Sequence, residues 1–252
     1  MNAVQVVLLS IIEGITEFLP VSSTGHLILA SKLLRIQTTE FTKSFEIFIQ
    51  LGAIMAVVTL YWRMLLGNRK LWVPLIMAFI PTAIVGFTLY PYIKGYLLDN
   101  TLVTTISLFV GGLVLIGFEK IYTEKSERLT WQRALMIGMF QSLSVVPGVS
   151  RAAATIIGGL SAGLSRKEAV EFSFLLALPT MAAATGLDLV KSAGTFDPNQ
   201  FGILALGFCI AWFTAYFTVK LFLAYIKTHT FISFGVYRVI LALVFWLFVG
   251  IS

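Results

Sequence analysis

The chain has 252 residues, of which 58% are hydrophobic and 12% are charged, whereas an ordinary soluble domain has about 25% charged residues. This composition excludes a water-soluble globular protein. The net charge of +6 does not indicate a nucleic-acid partner, because Lys and Arg lie in short gaps between apolar runs rather than in one basic cluster.

The chain begins with an interrupted apolar region at residues 3–35, and a second one lies at 133–163. Polar stretches at 20–25 and 147–151 break these regions, so each half is too short to cross a bilayer. The rest of the chain holds six uninterrupted apolar stretches near the required ~20 residues, which cover 45–62, 72–93, 102–118, 170–190, 202–222 and 231–250.

The two interruptions predict re-entrant hairpins. Irregular backbone at membrane depth is tolerated only where it is buried in protein or lines a polar cavity. A span kinked at a proline is the alternative reading of each region. We predict an all-α polytopic integral membrane protein with six full transmembrane helices and two re-entrant helix hairpins.

The two halves of the chain share residues at one fixed offset of 127 positions. The pairs are Pro20 with Pro147, Ser23 with Ser150, Phe45 with Phe172, Leu51 with Leu178 and Ala56 with Ala183. A half with one hairpin and three spans crosses the membrane an odd number of times, so its copy must be inverted. We predict one membrane domain, 1–252, with inverted repeats at about 1–118 and 133–252 and a loop at 119–132.

The basic residues predict the orientation of the chain. The predicted loops on one side carry ten Lys and Arg residues, and those on the other side carry five. The richer side faces the cytoplasm under the positive-inside rule. The loop at 119–132 is then cytoplasmic, and both termini and the first hairpin face outside.

Glu13 and Glu17 stand one helical turn apart in the first interrupted region, so their carboxylates share a face and repel each other. A shared proton, a nearby arginine or a divalent cation could compensate the pair. The structural alternative is an acid pair that points into water. Ionisable groups inside apolar segments are costly and usually functional, which favours a site.

The first break places a hydroxyl cluster at a helix start. Pro20 ends the preceding helix, and Ser22 or Ser23 is suited to cap the next one, which carries Thr24 and His26. Free backbone N–H groups at a helix start attract anions. The alternative to an anion site is an ordinary serine cap followed by a histidine on the helix surface.

The second break repeats this design with an arginine. Gly148 follows Pro147, Ser150 caps the next helix, Arg151 corresponds to Thr24 at the offset of 127, and Thr155 lies one turn later. A guanidinium stays charged, so Arg151 must pair with an acid of the first hairpin or with a phosphate. If both hairpins meet, the site fits a phosphate or diphosphate, and its apolar walls indicate a lipid whose tail lies in the bilayer.

Other polar residues in apolar segments are predicted to serve packing or interhelical hydrogen bonds. They are Glu46, Gln50, Gln141, Glu171, Asp188 and Arg238. Gln50 and Gln141 are in addition candidates for lining the cavity.

Four motifs resemble one known family. They are EGITEFLPVSSTGH at 13–26, FEIFIQLG at 45–52, PGVSR at 147–151 and EFSFLLALP at 171–179. Together they are similar to the undecaprenyl-diphosphate phosphatase, or bacitracin-resistance, family, over essentially the whole chain.

The resemblance implies an enzyme of the cytoplasmic (inner) membrane that hydrolyses undecaprenyl diphosphate to the monophosphate, recycling the lipid carrier for cell-wall synthesis and giving bacitracin resistance. It further implies a divalent cation, Mg²⁺ or Ca²⁺, and a site open to the outer face, and it allows a homodimer. The matched positions imply that Glu17, His26 and Arg151 belong to the catalytic core, with Glu13, Ser23, Ser150 and Thr155 beside them. We predict a catalytic set of Glu17, Ser23, His26 and Arg151, and a substrate-binding set of Ser22, Thr24, Gly148, Ser150 and Thr155. We further predict that Glu13 and Glu17 hold the cation, or that one of them acts as a base.

Two questions stay open at this level. The nucleophile is Ser23, which we favour slightly, His26 or a cation-bound water. The rival function is a transporter or flippase of isoprenyl phosphate lipids, because inverted repeats with broken helices also build transport sites. An acid pair and an imidazole beside the arginine favour the enzyme, since binding an anion does not require them.

Overall fold

The computed structural model describes residues 1–37, 39–97, 100–192 and 200–249, without the side chains of 40, 93, 94, 187–192, 248 and 249. Within these ranges the chain is helical and contains no strand. Its α-helices are α1 (Ala3–Thr16), α2 (Ser23–Leu33), α3 (Glu40–Gly67), α4 (Trp72–Thr88), α5 (Tyr90–Tyr92), α6 (Thr101–Ile121), α7 (Trp131–Ser142), α8 (Arg151–Ser161), α9 (Arg166–Ser192), α10 (Phe201–Tyr225) and α11 (Ile232–Val249).

Several helices begin at side-chain caps that the sequence supplies. Asn2 and Thr39 form capping boxes at α1 and α3, and the side chains of Asn100 and Thr130 accept N–H bonds at α6 and α7. Such caps satisfy N–H groups that have no partner within the helix. Local sequence therefore determines where these helices begin.

Among the described residues, α3, α4, α6, α9 and α10 are long and apolar enough to cross a membrane. Their positions match five of the six predicted stretches. The sixth stretch coincides with α11, whose apolar part, Ile232–Leu247, is shorter. The stretch predicted at 72–93 is one continuous helix only as far as Thr88, because Pro91 lacks an N–H and its ring clashes with the preceding turn.

Large apolar side chains cover the outside of the bundle. Examples are Leu66, Phe87, Ile121 and Leu221, each at least 70% exposed. Soluble monomers rarely expose this much apolar surface. The long apolar helices and this apolar outer surface indicate a multi-pass membrane protein.

Both interrupted regions contain a helix break, but α1 ends four residues before Pro20, so Pro20 does not end that helix as predicted. In the first region, α1 ends at Thr16 and α2 begins at Ser23, with positive φ at Ser22. In the second region, α7 and a 3₁₀ turn at Leu143–Val145 precede α8, with positive φ at Gly148 and Ser150.

The structure corrects the register of the two breaks. Ser22 and Ser150 are equivalent, because each has a φ near 70° and each carbonyl accepts the N–H four residues later. The offset here is therefore 128, and Arg151 opens α8 as Ser23 opens α2, so Arg151 does not correspond to Thr24. The second break is one residue longer, since Pro147 is followed by two residues before its capping serine and Pro20 by one.

Close helix packing brings the two broken regions together. Helix α10 packs against α1 and α3, α11 against α6, and α8 against α7 and α9. Gly52 permits one such contact, since a Cβ there would lie 2.3 Å from the Phe208 carbonyl oxygen. Small residues commonly allow this approach between membrane helices.

Candidate active site

A cavity of about 160 Å³ lies between the two broken regions. The first region and α3 contribute Glu17, Ser22, Ser23, Thr24 and Gln50, and the second region and α9 contribute Ser144, Val146, Pro147, Gly148, Ser150, Arg151 and Met181. The predicted meeting of the two hairpin tips is therefore present. Seven of the predicted site residues line one space.

Glu17 joins the two tips. Its Oε1 accepts a hydrogen bond from Nη2 of Arg151 at 3.0 Å, and its Oε2 accepts one from Oγ of Ser23 at 2.5 Å. Both charged side chains are at most 10% exposed. The carboxylate thus holds a guanidinium on one side and a hydroxyl on the other.

The guanidinium of Arg151 is positioned from behind by α9. Its Nη1 donates to the Ser173 carbonyl at 3.1 Å, and the Phe18 ring lies 5.7 Å from its carbon Cζ. Thr155 Oγ1 hydrogen-bonds to Ser173 Oγ at 2.6 Å and does not line the cavity. Thr155 therefore supports the wall behind Arg151, and the structure does not bring it to the substrate space.

Glu13 is buried beside this ion pair. It is fully buried, neither carboxylate oxygen has a hydrogen-bond partner among the described residues, and it interacts electrostatically with Glu17, Glu46 and Arg151. Unpaired carboxylate oxygens fit a bound proton or a hard divalent cation. The described residues contain no group of three or more His, Cys, Asp or Glu side chains that could hold a metal ion, so the protein alone offers two carboxylates.

His26 lies outside the cavity lining. Its Nδ1 donates to the Ser22 carbonyl at 2.8 Å, which leaves Nε2 to accept from the Tyr237 hydroxyl at 2.7 Å. The two rings stack with centroids 5.5 Å apart. Sequence reasoning missed Tyr237, because no local pattern links it to His26, which is 211 positions away.

Gly148 allows the second tip to approach α6. Its φ is +90°, and a Cβ there would lie 2.4 Å from the Thr104 carbonyl oxygen. Next to it, Ser150 Oγ accepts the Ala153 N–H at 3.2 Å and caps α8 as predicted. Ser22 caps α2 only through its backbone carbonyl, since its side chain makes no capping bond.

Arg238 ties the two tips to α6. It is fully buried, and the described acceptors of its guanidinium are all backbone carbonyl oxygens. They belong to Pro20, Ser107, Leu108, Gly148 and Val149, at 2.8 to 3.4 Å. The sequence predicted a packing or hydrogen-bonding role for Arg238, but not that it joins both hairpins.

The two glutamines predicted as cavity candidates differ in their positions. Gln50 lines the cavity. Gln141 is fully buried and bonds to Thr82 and Thr180, so it ties α7 to α4 and α9. The side chain of Asp188 lies outside the described residues.

Comparison with known proteins identifies the family of the chain. The profile of the family described as bacitracin resistance protein BacA matches residues 6–244. Three curated relatives carry the name undecaprenyl-diphosphatase. The chain is 52% identical to that of Aquifex aeolicus (96% of each chain covered), 49% to that of Persephonella marina (99% and 100%) and 46% to that of Thermus thermophilus (98% and 97%).

Proposed function

The chain belongs to the bacitracin resistance protein BacA family, and from this premise we propose that it hydrolyses undecaprenyl diphosphate to undecaprenyl phosphate and inorganic phosphate. The product is the lipid carrier of cell-wall synthesis, and its recycling gives bacitracin resistance. One observation carries the chemistry: Glu17, Ser23 and Arg151 meet at one cavity. A base, a hydroxyl and a fixed cation are what phosphoryl transfer requires.

Ser23 is the proposed nucleophile. Its Oγ attacks the terminal phosphorus, its proton passes to Glu17 Oε2, and the bond from phosphorus to the bridging oxygen breaks to release undecaprenyl phosphate. Water then attacks the phosphorus of the phosphoserine, the bond from Ser23 Oγ to phosphorus breaks, Oγ takes back the proton from Glu17, and phosphate leaves. The 2.5 Å hydrogen bond between Ser23 and Glu17 supports this choice. His26 has both ring nitrogens engaged, and we propose that it positions the start of α2.

Arg151 and the two helix starts are proposed to bind the diphosphate. The guanidinium stays charged and offers planar donors to phosphate oxygens. The N-termini of α2 and α8 add backbone N–H groups and the positive ends of their helix dipoles, and Thr24, Gly148 and Ser150 line the same space. These groups stabilise the charge on the transferred phosphoryl oxygens.

We propose that Glu13 and Glu17 hold a divalent cation. The unpaired oxygens of Glu13 support this assignment. When bound there, Mg²⁺ or Ca²⁺ would supply positive charge to offset that of the diphosphate. Glu17 keeps its bonds to Ser23 and Arg151 in the structure as it stands, so Glu13 is the principal ligand in this proposal.

The proposed membrane arrangement follows the sequence prediction. The six spans and two re-entrant hairpins form an inverted repeat in the cytoplasmic (inner) membrane, with the site open to the outer face. The excess of basic residues in the loops of the opposite side supports this orientation. The homodimer stays a prediction.

The test measures phosphate release by purified protein in detergent from a long-chain isoprenyl diphosphate, with and without EDTA. We expect cation-dependent release that Arg151→Ala nearly abolishes. The matched control Arg133→Ala, which removes a partly exposed arginine paired with Glu127 outside the cavity, should leave release unchanged. Specific lipid binding without release in the wild type would overturn the phosphatase and favour the transporter.

A further inference from the structure

A second cavity lies at the other end of the bundle from the Glu17 site. Its volume is about 280 Å³, and its lining comes mainly from the start of α9 and the loop after α10. Met181 lines the first cavity and stands fifteen residues along α9 from Arg166, which lines the second. That separation corresponds to about 22 Å of helix, so the two cavities are distinct.

One wall of this cavity is preformed. Arg166 donates to the buried carboxylate of Glu119 at 3.0 Å and lies over the Tyr122 ring at 5.0 Å. Glu119 also accepts the Phe231 backbone N–H at 2.9 Å. These contacts join α6, α9 and the segment before α11, so the cavity does not depend on a ligand for its shape.

The lining carries more positive than negative charge. Besides Arg166, it includes Lys167, which is 64% exposed and only loosely paired with Glu171 at 3.9 Å, and Lys227, which forms no ion pair among the described residues. Glu124 is the one acid in the lining, and it accepts the Arg166 backbone N–H at 3.4 Å. The lining therefore has two lysines available for an anion.

Neutral polar groups accompany these lysines. The His229 ring stacks on Tyr225 with centroids 4.2 Å apart, and its Nδ1 lies 2.8 Å from the Thr228 hydroxyl and 3.2 Å from the Tyr225 carbonyl. The carbonyl contact makes Nδ1 the donor in the neutral ring, so Nε2 is an acceptor there. The donors to a phosphate are therefore the ammonium groups of the lysines, beside the Thr230 hydroxyl in the same lining.

We propose that this cavity binds the phosphate of an anionic membrane lipid. Apolar side chains shortly before the lining residues in the chain are exposed on the bundle surface, among them Ile121, three residues before Glu124 (81% exposed), and Leu221, five residues before Ile226 (70%). Acyl chains can lie along these faces while the headgroup enters the cavity. Basic pockets between membrane helices on the cytoplasmic side bind anionic headgroups in this way.

The test is native mass spectrometry of the purified protein in detergent with phosphatidylglycerol or phosphatidylcholine. We expect the wild type to retain one phosphatidylglycerol in preference to phosphatidylcholine. The double variant Lys167→Gln/Lys227→Gln should bind it about tenfold more weakly or worse. Lys167→Arg/Lys227→Arg should keep the binding, because it keeps both charges.

The matched control is Lys120→Gln/Lys125→Gln, which removes two exposed charges at the same end but outside the lining. Equal weakening in this control, or no weakening in Lys167→Gln/Lys227→Gln, would overturn the proposal. A separate arm adds inorganic phosphate. Retention of inorganic phosphate by the wild type, with no preferential retention of phosphatidylglycerol, would keep the phosphate site but overturn the lipid as its ligand. Phosphate release from the isoprenyl diphosphate should be unchanged in all these variants, so this test is independent of the proposed phosphatase.

Discussion

Glu17 accepts hydrogen bonds from Ser23 at 2.5 Å and from Arg151 at 3.0 Å. Losing one member of a buried ion pair leaves an uncompensated charge and costs about 3–5 kcal/mol. Variants of Glu17 or Arg151 therefore affect stability as well as chemistry. Ser23 is the better position at which to test the chemistry, because it is a neutral, half-buried hydroxyl.

Replacement of Ser23 by Ala removes the proposed nucleophile and leaves the Glu17–Arg151 pair in place. We expect turnover to fall by about 10²–10⁴-fold and the phosphoenzyme to disappear, measured by phosphate release and by acid quenching with substrate labelled in its terminal phosphate. Ser142→Ala, which removes a hydroxyl bonded to the Gly138 carbonyl, is the control. Near-normal turnover in Ser23→Ala would show that another group attacks.

At the scale of elements, the two broken regions depend on backbone geometry that side chains elsewhere enforce. Gly148 has a φ of +90° and lies against α6, while Arg238 on α11 donates to the carbonyls of Gly148, Val149 and Pro20. Backbone carbonyl groups outside a helix have no intrahelical donor, so they need side-chain donors where water is absent. The site is therefore held by α6 and α11 as well as by the hairpins themselves.

Gly148→Ala should destabilise the protein and displace the second tip. A Cβ would lie 2.4 Å from the Thr104 carbonyl oxygen, and a strained φ costs about 1–3 kcal/mol. Thermal unfolding in detergent should show a lower midpoint. Gly86→Ala in α4 is the matched control, because nothing lies within 4 Å of its added Cβ, and its midpoint should stay the same or rise. Equal midpoints for the two variants would contradict this account of the tip.

At the scale of the whole molecule, the unequal distribution of basic residues among the loops and the apolar outer surface are explained by the same arrangement in the membrane. The exposed side chains of α4, α6, α10 and α11 include many large apolar groups, and the loops between spans carry the basic residues unequally. Lys and Arg in short loops are retained in the cytoplasm. The proposed orientation can therefore be tested by chemical labelling of residues on the two sides.

In a Cys209→Ala background, Arg128→Cys and Lys32→Cys should differ in their reaction with a membrane-impermeant thiol reagent added to intact cells. We expect labelling at position 32 and none at position 128 until the membrane is permeabilised, because the proposed orientation puts the two positions on opposite sides of the membrane. Removal of Cys209 leaves no other cysteine in the sequence. The reverse pattern would invert the orientation and place the Glu17 cavity on the cytoplasmic side.

The sequence by itself determined the membrane class, the positions of both helix breaks, and the residues at their tips. Its hydropathy, prolines and caps act locally, so a linear pattern records them. The pairing of Arg151 with Glu17 was among the predicted alternatives, because a charge in an apolar segment requires a partner. The resemblance at four motifs predicted the family correctly.

Only the tertiary structure decided how these residues are arranged around the cavity. In the structure, Thr155 lies behind Arg151 and His26 hydrogen-bonds to Tyr237. Gln50 lines the cavity whereas Gln141 does not, and the second tip is offset from the first by one residue more than the sequence pairs indicate. These outcomes depend on helix packing between residues far apart in the chain, such as Arg238 with Pro20. Periodicity and spacing do not record such contacts, because they arise from three-dimensional packing rather than from local backbone preference.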